Sequence, residues 1–425
     1  MTIKKKYALD YLIIGLMLLQ LLILGYFGYN GLLNRLVSVL ILYRSVGSRL
    51  KNTLKDNCFI CLVISMLLFV FNCIITGFNS NTVWSNMLMI LYPMLYTFYF
   101  YELKGRDNDF FNRLLRKGFY FFNIWLLINF IVISIQMNTG SMIAVTESNF
   151  IDFTMDLISG LFYYGGTHCL ATYITFVVIL NFNKISNMRK KWKRNILFAY
   201  NAFLIIYSAF LSTLNDNKSQ ILLLAVFLIA YFFIKQDELK SNESLKYILR
   251  ISALLIVIIT GLTITSSFVP ELQKFYENNV IGVFDMFSTV YRNTSVANGS
   301  DERIAMVLII FTRTDLWLTG LGMGSNGLYD PGILNFRHFG QATLGTLLIL
   351  GGIPFTISIF LTYTKLIKRT MFNNLKLRTI WIVILLLTVT FYNQCFFTPA
   401  LMTCTLLSFL ALNYKEPKKK LRGIR

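Results

Sequence analysis

Apolar stretches about as long as a bilayer is thick recur along this chain, with short basic segments between them. Residues 58–78 and 247–268 are two of these stretches, and each is long enough to cross roughly 30 Å of hydrocarbon as a helix. With no water to receive backbone N–H and C=O groups, a single-chain stretch of this kind is stable in lipid only as a helix. Composition agrees, since 56% of the 425 residues are hydrophobic and only 14% charged, too few to cover a soluble core. The expected fold is therefore all-α and polytopic, a single transmembrane domain spanning 1–425.

Twelve spans are expected, at 7–29, 32–43, 58–78, 83–101, 119–137, 161–182, 196–214, 219–234, 247–268, 341–366, 379–393 and 396–413. The second is the shortest, and its twelve residues would rise only about 18 Å at about 1.5 Å per residue. Charge placement retains it. With twelve spans, 33 of the 40 Lys and Arg residues fall on the side of both termini, which the positive-inside rule makes cytoplasmic. Without it, Lys4, Lys5 and Lys6 would face outward while the later basic loops stayed inside. Those lysines resemble the start of a signal peptide. The apolar run after them is long, and no small-residue cleavage site follows it, so an uncleaved first helix is expected.

The net charge of +20 does not point to nucleic acid, because the basic residues are dispersed between spans rather than gathered in one groove. Cys58-x-x-Cys61 lacks a second pair or a nearby histidine, so these cysteines read as small apolar side chains at a helix start. No metal site or bound cofactor is expected. There is also no internal repeat of the kind that two-half transporters carry.

Two outward connections are long, 138–160 and 269–340. The second is 72 residues and lies between the ninth and tenth spans. Within it, 270–293 has the apolar and aromatic spacing of an amphipathic helix at the membrane surface. Ser300 can cap a second helix over 301–314. Gly320, Gly322, Gly324 and Gly327 then read as a flexible segment. The loop holds five basic and seven acidic residues, and no topological rule calls for Arg303, Arg313 or Arg337 there. Each can pair with a local acid, such as Arg303 with Asp301 or Glu302 and Arg313 with Asp315. Alternatively they form an anion site, because the guanidinium fork donates two parallel hydrogen bonds to phosphate.

Lys218 lies in the outer turn 215–220, where Ser219 can cap the next helix and leave amides for an anion. His168 and His338, the only two histidines, both fall at the outer face. A neutral imidazole there can accept a proton from a hydroxyl, although a structural hydrogen bond is the commoner role. Gln341 follows His338 by about one helical turn. No phosphate loop of the nucleotide-hydrolase type is present, so a reaction at the outer face would draw on an already activated substrate.

The run from Arg303 through Trp317-Leu318-Thr319-Gly320-Leu321-Gly322-Met323-Gly324 resembles the outer-loop motif of bacterial O-antigen polymerases and ligases, the Wzy-type family. His338 followed by Gly351-Gly352-Ile353 is similar to the continuation of that motif, and Lys218-Ser219-Gln220 to an earlier helix start. Phe339 stands where the family often has asparagine, and alignment on the glycine pair puts Gln341 at the histidine position. The resemblance implies a metal-independent glycosyltransferase of the bacterial cytoplasmic membrane, without cofactor. Its substrate would be an undecaprenyl-pyrophosphate-linked glycan, with membrane lipids around it and chain-length regulator and flippase proteins as partners. It implies catalytic roles for Arg303 and His338, and substrate contacts for Arg313, Lys218, Arg337, Gln341 and His168. A ligase-type glycan transferase and a lipid-linked oligosaccharide flippase are the alternatives.

Overall fold

The computed structural model describes residues 7–25, 27–54, 56–76, 80–139, 158–162, 166–188, 190–214, 219–236, 310, 313–323, 343–371 and 395–414. Within them the helices are α1 (Ala8–Leu19), α2 (Asn30–Leu54), α3 (Asn57–Thr76), α4 (Ser80–Arg106) and α5 (Phe110–Thr139). They continue with α6 (Thr167–Ser186), α7 (Lys191–Leu214), α8 (Ser219–Gln236), α9 (Thr343–Met371) and α10 (Pro399–Leu412). No strand occurs among the described residues. Five of these helices, α3, α5, α6, α7 and α9, are long and apolar enough to cross a membrane. The spans expected at 247–268 and 379–393, and most of the loop 269–340, lie outside the described residues.

The helices sort by what surrounds them. Every residue of α10 is buried, and α6 is buried over nearly its whole length. These two pack on each other at the centre, with α4, α7 and α8 around them and α3 against α9. In contrast, α3 turns Ile64, Leu67, Phe71 and Ile74 outward, and α7 turns Ile196, Phe203 and Ile206 outward. Apolar surface of that extent on helices that also have a packed face suits hydrocarbon as the surrounding solvent.

Polar side chains fix the helices to one another. Asp10 near the start of α1 is buried and accepts from Arg44 Nε at 3.1 Å and Nη2 at 3.0 Å. It also accepts from Arg106 Nη2 at 3.0 Å and from the Tyr99 hydroxyl at 2.8 Å. One carboxylate thereby gathers α1, α2 and α4 at one end of the bundle, called the basic end below. Deeper in, Gln20 donates to Asn34 Oδ1 at 2.6 Å and accepts from Tyr96 at 2.9 Å, beside a π-helical turn over Gln20–Leu24. Asn181 of α6 donates to Asn123 of α5 and Asn201 of α7. In an apolar medium such carboxamide pairs hold helices together where hydrophobicity alone cannot.

Several boundaries differ from the sequence expectation, α5 among them with its start at Phe110 rather than 119, and two have a clear physical cause. The second span runs to 25 residues as α2, because the polar residues after 43 remain helical and Arg44 is held by Asp10. Span 161–182 becomes helical only at Thr167. The preceding residues 158–162 form a buried, non-helical segment whose Gly160 has φ +69°. That segment needs hydrogen-bond partners, and α5 supplies them. Gln136 donates to Gly160 O at 3.1 Å and accepts from Gly160 N at 3.0 Å, and Asn129 Oδ1 accepts from Leu161 N at 2.8 Å. Cys58 is buried at the start of α3, where Asp56 accepts from its amide at 2.7 Å. None of the six cysteines is in a disulfide bond, and Lys365 Nζ lies 3.1 Å from Cys61 Sγ.

Candidate functional site

Within the long loop, the described residues 313–323 form a turn docked on a break in α9, and the need for the break is written in the sequence. In an uninterrupted helix, Ile349 O would accept from the amide of residue 353 and Leu350 O from that of residue 354. Residue 354 is proline and has no amide hydrogen. At Gly352 the backbone turns to φ 72°, ψ −178°, a conformation accessible essentially to glycine alone. The Ile353 amide leaves the helix and donates to Trp317 O at 2.8 Å. The two carbonyls left over accept from the turn, Ile349 O from Leu321 N at 2.7 Å and Leu350 O from Gly322 N at 3.0 Å. Each broken bond of the helix is thus replaced by one from the turn, as a low-dielectric surrounding requires.

Side chains complete the docking. Asn72 of α3 donates to Thr319 O and, at 3.4 Å, to Gly351 O, and its Oδ1 accepts from Met323 N at 2.8 Å. Asn86 of α4 donates to Met323 O at 2.6 Å. Gly320 and Gly322 have φ +62° and +99°, and a side chain at Gly320 would run into the backbone of Ile349 and Leu350. The segment expected to be flexible is, over 320–323, held at close approach by four hydrogen bonds to α3, α4 and α9. Of the second expected loop helix, 301–314, only residues 310, 313 and 314 are described. Ile310 is helical, but Arg313 at φ −111°, ψ 84° is not, and a 3-10 turn over Thr314–Leu316 follows.

Arg313 pairs with Asp315 through two parallel bonds, Nε to Oδ1 at 2.9 Å and Nη2 to Oδ2 at 2.7 Å. Both side chains are largely exposed, so the pair is an open surface pair worth little on its own. The hydrogen bond and the charge of Arg313 hold the Asp315 carboxyl below its ordinary range, and the guanidinium is raised in return. Trp317 and Leu318 are exposed beside the pair, and Trp317 Nε1 donates to Ile310 O at 2.6 Å. His168 is the second residue of α6, partly buried, and its carbonyl accepts from Thr172 Oγ1 at 2.8 Å.

These two described candidates share one end of the bundle. Asp56 at the start of α3 accepts from Tyr101 near the end of α4, which places both at the basic end, with Arg106 and Asp10. Asn72 and Asn86 lie about 15 and 20 residues away along their helices, more than 20 Å up the bundle at about 1.5 Å per residue. The docked turn therefore caps the opposite end. α5 starts beside α4 at the basic end and delivers the 158–162 segment, and hence His168, to that opposite end. Arg303, Lys218, Arg337, His338 and Gln341 lie outside the described residues. The helix ends that flank Lys218, at Leu214 and Ser219, also belong to the end with the docked turn.

Asn72, Asn86 and Pro354 were not among the residues singled out from sequence. Pro354 directly after Gly351-Gly352-Ile353 is a readable signal of a broken helix. Asn72 within an apolar span is a weaker one. No family model, curated protein or solved structure matches this chain.

Proposed function

We propose that this chain is a polysaccharide polymerase of the bacterial cytoplasmic membrane, with twelve spans, both termini cytoplasmic and the loop 269–340 outside. It joins undecaprenyl-pyrophosphate-linked repeat units into O-antigen, capsule or exopolysaccharide. One observation carries the reading. The turn 313–323 and the start of α9 at Thr343 are both fixed at the same end of the bundle. The described residues that flank Arg337, His338 and Gln341 in sequence are therefore at that end, together with Arg313 and His168.

In the proposed reaction the acceptor hydroxyl gives its proton to His338 while its oxygen bonds to the anomeric carbon of the donor sugar. The bond from that carbon to the pyrophosphate oxygen breaks, and lipid pyrophosphate leaves. Arg303 meets the charge growing on that leaving group, the largest electrostatic demand of the step. Arg313, Lys218, Arg337, Gln341 and His168 contribute contacts to pyrophosphate and sugar. The polar groups named above from the middle of the bundle, Gln20, Asn34 and Tyr96 and the Asn123, Asn181 and Asn201 set, are neutral and bonded to one another, and the charged Asp10 cluster sits at the basic end, which favours this reading over a path for substrate through the bundle.

Arg303→Ala is expected to abolish polymer and leave single lipid-linked units on the outer face, read from the glycan profile of a complemented deletion strain. Wild-type chain length in that variant refutes the assignment. Units trapped inside a deletion strain would instead identify a flippase, and unattached long chains a ligase.

A further inference from the structure

We infer that Asn72 is a positioning residue that sets the placement of the outer loop from a helix distant in sequence; the inference rests on the glycosyl-transfer reading above. Its carboxamide reaches three points. It donates to Thr319 O, where the turn starts, accepts from Met323 N, where the turn ends, and reaches Gly351 O at the helix break. One side chain thereby closes the turn and ties it to α9 at once.

The same face of α3 also grips α9 on the other side of the break. Ser65 Oγ lies 3.0 Å from Thr362 Oγ1, which in turn donates to Cys61 O at 3.2 Å, and Phe69 packs on Phe355. Residues 61, 65, 69, 72 and 76 follow the three- and four-residue spacing of one helical face. α3 is thus a splint across the break. Below Gly352 it holds the helix, and above it Asn72 holds what replaces the helix. Removal of Asn72 leaves the lower grip intact and loosens the turn at Thr319 and Met323, where it holds the described end of the loop to the bundle.

Asn72→Leu keeps most of the volume and removes both functions of the amide. Asn72→Asp retains an oxygen for Met323 N but sets a carboxylate against Thr319 O. Hydrogen exchange of the protein in nanodiscs is expected to quicken about tenfold at Leu321, Gly322 and Met323 in Asn72→Leu, the effect of losing a buried hydrogen bond. Exchange over 355–366 should stay at the wild-type rate. Asn72→Asp should fall between the two at Met323. Polymer in the complemented strain should drop about tenfold in Asn72→Leu at an unchanged protein level and recover in part in Asn72→Asp.

Wild-type exchange at Met323 in Asn72→Leu overturns the latch. Faster exchange with wild-type polymer overturns the positioning role, while loss of polymer in Arg303→Ala keeps the reaction reading standing. Wild-type polymer in both Arg303→Ala and His338→Ala overturns that reading, and the positioning role with it, while exchange at Met323 still decides the latch. If Asn72→Leu does not accumulate, Asn86→Leu, which releases only Met323 O, takes its place with the same outcomes expected at smaller size.

Discussion

Replacing Gly352 by alanine tests whether the broken helix and the docked turn are one unit. The added Cβ would lie 2.7 Å from Leu318 C and O and 2.9 Å from Thr319 N, all backbone atoms that cannot rotate aside. The conformation at φ 72°, ψ −178° costs a non-glycine residue about 1–3 kcal/mol by itself. Relief of the overlap requires the turn to move off α9, which gives up three hydrogen bonds of about 1 kcal/mol each. Together these come to roughly 4–6 kcal/mol. Two neighbouring substitutions calibrate the result. A Cβ at Gly351 meets side-chain atoms only, the Phe355 ring and the Met323 methyl, and should cost about 1–3 kcal/mol. A Cβ at Gly15, inside α1, meets nothing within 4 Å and should stabilise by roughly 0.5–1 kcal/mol through helix propensity. Unfolding by SDS in bicelles, followed by tryptophan fluorescence, ranks the three variants. Gly352→Ala as stable as the wild type, or Gly15→Ala the least stable, refutes the reasoning.

Asp10→Asn leaves two guanidiniums beside a neutral amide in a site where the carboxylate is 1% exposed and the arginines 13–19%. A loss of roughly 3 kcal/mol in the same unfolding assay is expected, and an unchanged midpoint would show that the ion cluster does not hold α1, α2 and α4 together. The Asp315 carboxyl, held low chiefly by its hydrogen bond from Arg313, has a folded-state pKa below its unfolded one. The pair's contribution is therefore present above the ordinary aspartate value, about 3.9, and is lost only as pH falls through the lower folded value. A carbon-detected titration of labelled protein should place the Asp315 midpoint below 3.9, and a midpoint at or above it refutes the pairing.

The apolar spans were legible because hydropathy over twenty residues is a local property. The helix at 58–78 in the sequence is α3 at Asn57–Thr76 in the structure, and 219–234 is α8 at Ser219–Gln236. The errors occur where a distant side chain decides. The late start of α6 depends on Asn129 and Gln136, which occupy the unsatisfied backbone of Gly160 and Leu161. The extension of α2 is fixed by Asp10, 34 residues before Arg44. Glycines spaced at two residues read as mobile in isolation, yet Gly320 and Gly322 allow the close approach that fixes the turn. The acidic partner of Arg313, two residues away, was within local reach and was named from sequence. The partner of Met323 was not, because 251 residues separate it from Asn72.

The proline at 354 also governs the order in which the molecule can be completed. When α9 enters the bilayer alone with its break at Gly352, Pro354 has no amide hydrogen for Leu350 O and the Ile353 amide is turned away from Ile349 O, and each bare carbonyl in hydrocarbon costs several kcal/mol. Their donors, the amides of Leu321 and Gly322, are synthesised earlier, and the asparagine that holds that turn earlier still. During biosynthesis α3 stands ready before the turn, and the turn before the helix that requires it. Partitioning of α9 into the membrane is thus coupled to capture of a turn made before it, and that turn in its place rests on α3.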